Sequence, residues 1–264
     1  MEGKFKFPGL DVGKAVDTIH NFIKSKLEES KADGLVIGLS GGIDSSLVAY
    51  LCAHAVGSDK ILGLVLPCDT TSSEDVKDAV KVAEELGIKY KILNIDPLIK
   101  PFPKLCPRCS KSNLANANLK ARIRMILLYY HSNAMKLIVA GTGNRTELLV
   151  GYFTKYGDGG VDILPIGDLY KTEVREVADY AGVPKKIIEK APTAGLWTDQ
   201  TDEEELGIKY ELIDKILCLM IDKGISIEEV SNQLEIPYEE VLRIKKMIES
   251  SNHKLSSPCI VKLR

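Results

Sequence analysis

Short, almost wholly apolar runs alternate along this chain with longer stretches in which apolar residues recur every three or four positions. The runs Gly34–Gly38, Ile61–Pro67, Lys89–Ile95 and Leu137–Gly141 have the length and composition of strands. Between and around them lie helical patterns. Asp11 to Lys31 carries Val12, Ala15, Val16, Ile19, Phe22, Ile23 and Leu27 on one side, and Leu47–Ala53 continues from a glycine-rich turn. A segment capped by Ser72 or Ser73 runs to about Leu86 and is ended by Gly87, and a long helix follows Ser112 with Leu119, Ile123, Ile126, Leu127 and Tyr130. Strands that are apolar at nearly every position, separated by helices, predict an α/β fold whose parallel sheet is covered on both faces. From Tyr170 onward the pattern is helical: Lys171–Ala181, then Asp202–Asp222, then a helix-turn-helix pattern from Ser226 to Lys246.

The turn after the first strand, Leu39-Ser40-Gly41-Gly42-Ile43-Asp44-Ser45-Ser46, joins a strand to a helix N-terminus. Free backbone N–H groups project from such an end, and the helix dipole favours an anion there. Glycines allow close approach of a phosphate, and the serine hydroxyls add donors. Asp44 would repel a bare phosphate, which points to a bridging Mg²⁺. The alternative is an ordinary glycine-rich turn with Asp44 near the cap. No Gly-Lys-Ser/Thr follows, so this is not a Walker A loop. It resembles the Ser-Gly-Gly-x-Asp-Ser signature of the ATP pyrophosphatase superfamily, whose members split ATP between the α and β phosphates and adenylate an oxygen of a second substrate.

The 264 residues suffice for one large or two small domains, and the pattern is read as a single domain over 1–264. A net charge of −2 with 27% charged residues gives no general signature for nucleic acid or membrane. The N-terminus lacks the apolar segment of a secretory signal, and no run is long enough to cross a bilayer. The six cysteines do not form a secreted disulfide framework, so a cytoplasmic, soluble protein is expected.

A second motif follows the fourth strand. Gly141-Thr142-Gly143-Asn144-Arg145-Thr146-Glu147 begins like a dinucleotide fingerprint but lacks its third glycine. Next comes Gly151–Pro165, in which several glycines keep the backbone irregular around Lys155, Asp158 and Asp162; a glycine-rich surface hairpin is the plainer reading. Thr154-Lys155-Tyr156-Gly157-Asp158-Gly159-Gly160 with Leu164-Pro165 resembles the signature of the NAD synthetase family. Ala191-Pro192-Thr193-Ala194, Asp202–Gly207 and His253-Lys254 match that family in order. The run ending in Glu147 departs from the Asp-His-Ala-Ala-Glu of many short bacterial members but keeps the glutamate.

The resemblance implies a Rossmann-like parallel sheet, adenine nucleotide alpha hydrolase-like, with helices on both faces and a helical C-terminal elaboration. It implies a ligase that joins ammonia to deamido-NAD (nicotinic acid adenine dinucleotide) using ATP, through an acyl-adenylate, releasing NAD, AMP and pyrophosphate. Ser40, Gly41, Gly42, Ile43, Asp44, Ser45, Ser46 and Leu47 would wrap the ATP phosphates, with Thr142, Lys171 and Thr193 also on ATP. Asp44 and Glu147 would ligate Mg²⁺, and with Lys171 they form the expected catalytic set. Arg124, Lys155, Asp162, His253 and Lys254 would contact deamido-NAD, with Asp158 close by. Read without the resemblance, Arg124 and Lys171 fit solvated helix charges equally well, and Glu147 fits a helix-start carboxylate. The family also implies a homodimer. No room precedes the first helix for a glutamine-hydrolysing domain, so free ammonia, or ammonia from a separate partner, is the expected nitrogen source.

Three features stay outside that reading. Cys106-Pro107-Arg108-Cys109 lies in a proline-rich loop and is compatible with a plain loop, a disulfide, or half of a metal site shared across a dimer. The helix-turn-helix pattern suggests nucleic acid as a rival partner, but Glu239 and Glu240 make the start of its second helix acidic where base contacts would fall. A non-catalytic nucleotide sensor is the remaining alternative, against which the retained Asp44, Glu147 and Lys171 argue. His20, His54 and His131 show no metal-ligand spacing and are read as structural.

Overall fold

The strands β1 (Gly34–Gly38), β2 (Ile61–Val65), β3 (Lys89–Ile92) and β4 (Leu137–Ala140) form a parallel sheet in the order β3-β2-β1-β4. Leu35 lies opposite Ile61 on one side and Ile138 on the other, which puts β1 at the centre. The computed structural model describes residues 7–191 and 202–263. β3 ends at Ile92, earlier than its apolar run suggests; Leu93 and Ile95 still donate to Val65 and Pro67 carbonyls, so pairing continues irregularly past the last regular residue.

Successive helices are α1 (Val12–Ser30), α2 (Ile43–Val56), α3 (Ser73–Glu85), the short α4 (Asp96–Ile99) and α5 (Phe102–Leu105), then α6 (Asn113–Met135), α7 (Arg145–Val150), α8 (Lys171–Ala181) and α9 (Lys185–Ile188). Side chains alternate across a strand. Leu35 and Ile37 therefore enter a core with α1, α2, α3 and α8, whereas Val36 enters a second core with Ile123 of α6. The central strands β1 and β2 are covered on both faces, as their continuous apolar runs require, whereas the edge strand β3 leaves Lys89, Lys91 and Ile92 exposed. Burying one such Leu or Ile contributes about 1.5–3 kcal/mol. Of the two candidates for α3, Ser72 is the cap; Asp11 and Ser112 likewise accept from backbone N–H groups of α1 and α6.

The C-terminal region is helical but more broken than its apolar pattern predicts. Asp202–Asp222 is not one helix. It comprises α10 (Asp202–Leu206), α11 (Tyr210–Leu217) and a π-turn at Cys218–Asp222. Gly207 takes φ +67°, a left-handed conformation that ends α10 and lets Ile208 turn into the core. With α12 (Ile227–Leu234) and α13 (Tyr238–Leu255) these helices bury a third apolar cluster around Tyr210, Ile213, Leu217, Val230 and Ile244. No helix among the described residues is long and apolar enough to cross a membrane.

The strand order reverses between β1 and β4, since β2 and β3 lie to one side of β1 and β4 to the other. A crevice opens beyond the strand C-termini at such a reversal. The loops leaving β1 and β4 are the two that carry the sequence motifs.

Candidate active site

The loop from β1 into α2 has the geometry of an anion cradle. Leu39 N donates to Leu64 O at 2.9 Å, which holds the loop's start to the C-terminal end of β2. Gly41 adopts φ +79°, and a Cβ there would sit 2.2 Å from the Asp75 carbonyl oxygen. Only glycine satisfies both conditions. Ser40 and Ser45 hydroxyls lie 2.9 Å apart, and the Ser40 N–H donates to Ser45 Oγ at 3.1 Å. Gly42 caps α2 without a side-chain acceptor, so the first amides of the helix keep their donor capacity. Ser40, Gly42, Ile43, Asp44 and Ser45 line a cavity of about 710 Å³. Gly41, Ser46 and Leu47 do not line it: Gly41 abuts Asp75, the Ser46 hydroxyl donates to Gly42 O, and Leu47 is buried in the core.

From the other side of the reversal, α7 and α8 bring in Glu147 and Lys171. Lys171 is 2% exposed, and its Nζ donates to Asp44 Oδ2 at 2.5 Å and to Glu147 Oε1 at 3.5 Å. Asn144 joins the two motifs: its amide Nδ2 donates to Asp44 Oδ1 at 2.9 Å, while its Oδ1 accepts from Glu147 N. Glu147 Oε2 accepts in turn from Asn144 N, which completes a capping box on α7. Glu147 is thus a helix-start carboxylate and also a member of the charged cluster. Burial pushes the Glu147 carboxyl up to about 8, with Lys171 opposing and the Asp44 charge adding to the rise. Burial works against charge on Lys171, but Asp44 and Glu147 overcome it and hold the ammonium above its ordinary value.

A buried frame fixes Lys171. Thr146 Oγ1 donates to Asp214 Oδ1 at 2.6 Å and accepts from Lys171 N at 2.9 Å. Asp214 Oδ2 accepts from Thr172 N at 2.9 Å. The Tyr210 ring lies 5.3 Å from Lys171 Nζ, and its hydroxyl donates to Asp202 Oδ2 at 3.2 Å. Burial raises the Asp202 carboxyl, which faces the same cavity. No role is read from the sequence for Asn144, Thr146, Tyr210 or Asp214; their long-range contacts supply one.

The glycine-rich segment after α7 closes the cavity's far end. Thr142, Arg124, Lys155, Asp158, His253 and Lys254 all line it. Arg124 Nε donates to Leu66 O at 3.0 Å and its Nη2 to Cys68 Sγ at 3.5 Å. Lys155 Nζ donates to the His253 carbonyl, and Lys254 Nζ to the carbonyls of Gly151 and Phe153 at 2.7 and 2.9 Å, so the two lysines fasten this segment to α13. Asp158 accepts from Thr154 N, and burial raises its carboxyl. Asp162 stands apart from the cavity lining, accepting from Tyr129 OH at 2.9 Å and from Val139 N at 2.7 Å beside β4. Thr193 lies outside the described residues.

Cys106 and Cys109 are joined as a disulfide, with Cα atoms 5.3 Å apart. His20 and His54 pack edge to face, and His131 Nδ1 meets Leu127 O within its own helix.

A family model described as NAD synthase matches residues 15–258. The chain belongs to the NAD synthase family. A curated relative from Archaeoglobus fulgidus, named NH(3)-dependent NAD(+) synthetase, is 50% identical over 252 residues, covering 95% of this chain and 97% of the relative. Among solved structures, an NMN synthetase from Francisella tularensis aligns with a TM-score of 0.86 at 34% identity, over 97% of this chain and all of that one. The NH3-dependent NAD synthetase from Campylobacter jejuni aligns with a TM-score of 0.82 at 30% identity, over 96% of this chain and 100% of that chain. The NAD synthase fold is therefore a Rossmann-like α/β sheet that joins β1–α2 to β4–α7 across its reversal.

Proposed function

We propose that this chain is an ammonia-dependent ligase that converts deamido-NAD to NAD, with ATP cleaved to AMP and pyrophosphate. The observation that carries the reading is Lys171, buried between Asp44 and Glu147 at the amide end of α2, in the same cavity as the Thr154–Asp158 segment. A carboxylate oxygen of the substrate attacks the α-phosphorus, the bond to pyrophosphate breaks, and its electron pair leaves with pyrophosphate. Ammonia then attacks the acyl carbon of the adenylate, AMP departs with the acyl–oxygen bond's electrons, and a proton is lost from nitrogen. Both nucleophiles belong to substrates, so the protein's part is placement and charge.

Each motif has a task in that sequence. Backbone N–H groups of the first turn of α2, with the Ser40 and Ser45 hydroxyls, receive phosphate oxygens. Lys171 leaves the carboxylates for the nucleotide and stabilises the charge that builds as pyrophosphate departs. Asp44 and Glu147 then suit Mg²⁺, which takes one or two carboxylates and completes its shell with water and phosphate oxygens. The pair fits that ion, since the site already holds a cation, the Lys171 ammonium, between two oxygen donors. A bound Mg²⁺ would supply positive charge to the phosphates. Thr142, and Thr193 beyond the described residues, complete the ATP set. Arg124, Lys155, Asp158, His253 and Lys254 face the dinucleotide, and Asp162 serves it through the loop it anchors. The chain acts as a single cytoplasmic domain, and the exposed Ile126 and Tyr130 on α6 support pairing into a homodimer.

The likeness to the Francisella tularensis protein, an NMN synthetase, favours a second reading in which the acid is the corresponding mononucleotide. The decisive experiment supplies ATP, Mg²⁺ and ammonium with deamido-NAD or nicotinic acid mononucleotide, separately and in competition. AMP with NAD is the expected product, and ADP would reject adenylation. Preferential amidation of the mononucleotide would select the second reading. Equal rates with glutamine as sole nitrogen source would overturn ammonia dependence.

A further inference from the structure

Lys190 is a cation on the cavity wall that the roles above leave unused. Its Nζ donates to Asp75 Oδ1 at 2.5 Å and to Asp78 Oδ2 at 2.9 Å. Lys190, Asp75 and Val76 all line the cavity that Ser40, Gly42 and Asp44 line. The Asp75 backbone abuts the phosphate loop, since a Cβ on Gly41 would meet Asp75 O at 2.2 Å and Asp75 Cα at 3.1 Å. Lys190 is thus held by a residue whose backbone touches that loop, and both line the same cavity. Lys171 pairs with Asp44 at the start of α2, and Lys190 pairs with Asp75, whose backbone abuts Gly41.

The ion pairs around Lys190 do not need it for charge compensation at their buried member. The Asp78 side chain, 5% exposed, also accepts from Lys186 Nζ at 2.8 Å and keeps that partner if Lys190 moves. Asp75 has no such second cation at the cavity wall among the described residues, so a nucleotide seated on the loop would face an acidic side chain unless Lys190 stood between them.

The geometry points to Lys190 as a further phosphate-contact residue, which takes the β,γ-pyrophosphate portion of the nucleotide while Lys171 serves the α-phosphate. The assignment rests on the function proposed above. It divides the developing charge between two lysines that reach the loop from different elements, one on α8 and one beyond α9.

The test measures ATP–pyrophosphate exchange, inhibition by added sodium pyrophosphate, and KM for ATP and deamido-NAD, in wild type, K190M, K190R and D75N, with thermal unfolding of each. K190M is expected to raise KM for ATP and Ki for pyrophosphate about tenfold, the loss of one charge-assisted hydrogen bond, with KM for deamido-NAD unchanged. K190R should restore most of the loss. D75N, which frees Lys190 and removes an opposing charge, should leave both constants unchanged or lower them. If K190M does not fold, D75N decides the question by the direction of its effect. Constants within twofold of wild type in K190M, or parallel increases in K190M and D75N, would overturn the assignment, the latter marking a pair that only braces the wall. Wild type that forms AMP while K190M behaves normally would remove Lys190 alone; wild type that forms no AMP would remove the underlying function.

Discussion

Replacing Thr146 by valine removes one hydroxyl and tests how the site is held. Thr146 is fully buried, and its Oγ1 both donates to Asp214 Oδ1 and accepts from the Lys171 N–H. Valine keeps the shape and bonds neither. The lost hydroxyl-to-carboxylate bond contributes about 1.5–3 kcal/mol, and an unpaired buried N–H costs about 1–3 kcal/mol. Asp214 retains Thr172 N, so part of its carboxylate stays satisfied. A net loss of about 3 kcal/mol is expected, or about 6 °C in Tm for a chain of this length. Urea titration with calorimetry measures it, and kcat should fall as well because the first residue of α8 carries the Lys171 ammonium. Thr146→Ser, which keeps the oxygen, should stay within about 1 kcal/mol of wild type. A Thr146→Val protein within 0.5 kcal/mol of wild type would refute the claim that this hydroxyl frames the site.

Other outcomes can be checked alongside it. Lys171→Met should lower kcat/KM by about 10²–10³, the effect of removing one preorganised charge stabiliser, measured as AMP release under saturating ammonium. Lys186 and Lys190 hold the Asp78 carboxyl below its ordinary value against the opposing effect of burial, so its contribution to stability is complete above about pH 3.9 and disappears as pH falls through the lower folded value. Wild type should therefore lose more stability than Asp78→Asn between pH 5 and pH 3 in acid titrations followed by circular dichroism. The Cys106–Cys109 disulfide closes a loop with a sequence separation of only 3 and so restricts little chain entropy; Cys106→Ser with Cys109→Ser should therefore cost no more than about 2 kcal/mol in urea titration and leave KM for ATP unchanged, because neither cysteine lines the cavity. A shift in that KM would show that the loop reaches the nucleotide.

The parts of the fold that could be read from the sequence are those whose physics is local. Apolar runs bounded by glycine gave the strands, Asp11, Ser72 and Ser112 marked helix starts, and the Ser40–Asp44 turn announced an amide end with an acid beside it. Asp202–Asp222 misled because its apolar spacing is helical throughout, while the break depends on one backbone torsion at Gly207 that spacing does not encode. Asn144, Thr146, Tyr210 and Asp214 were out of reach for a different reason: their partners lie 100, 68, 39 and 42 residues away in Asn144–Asp44, Thr146–Asp214, Tyr210–Lys171 and Asp214–Thr172. Lys155 and Lys254 show the reverse case: their motifs are plain in the sequence, but the carbonyls of His253, Gly151 and Phe153 that they reach are contacts no motif encodes.

Lys171 gives the acidic pair an internal counter-ion, and this separates the protein's endurance from its supply of divalent ions. Two neighbouring, half-buried carboxylates without a cation would push each other toward protonation. With the ammonium docked between them, the scaffold has its counter-ion whether or not the Mg²⁺ proposed above is bound. Chelation should therefore idle the enzyme without unravelling it, and restoring the ion should return full turnover with no refolding lag.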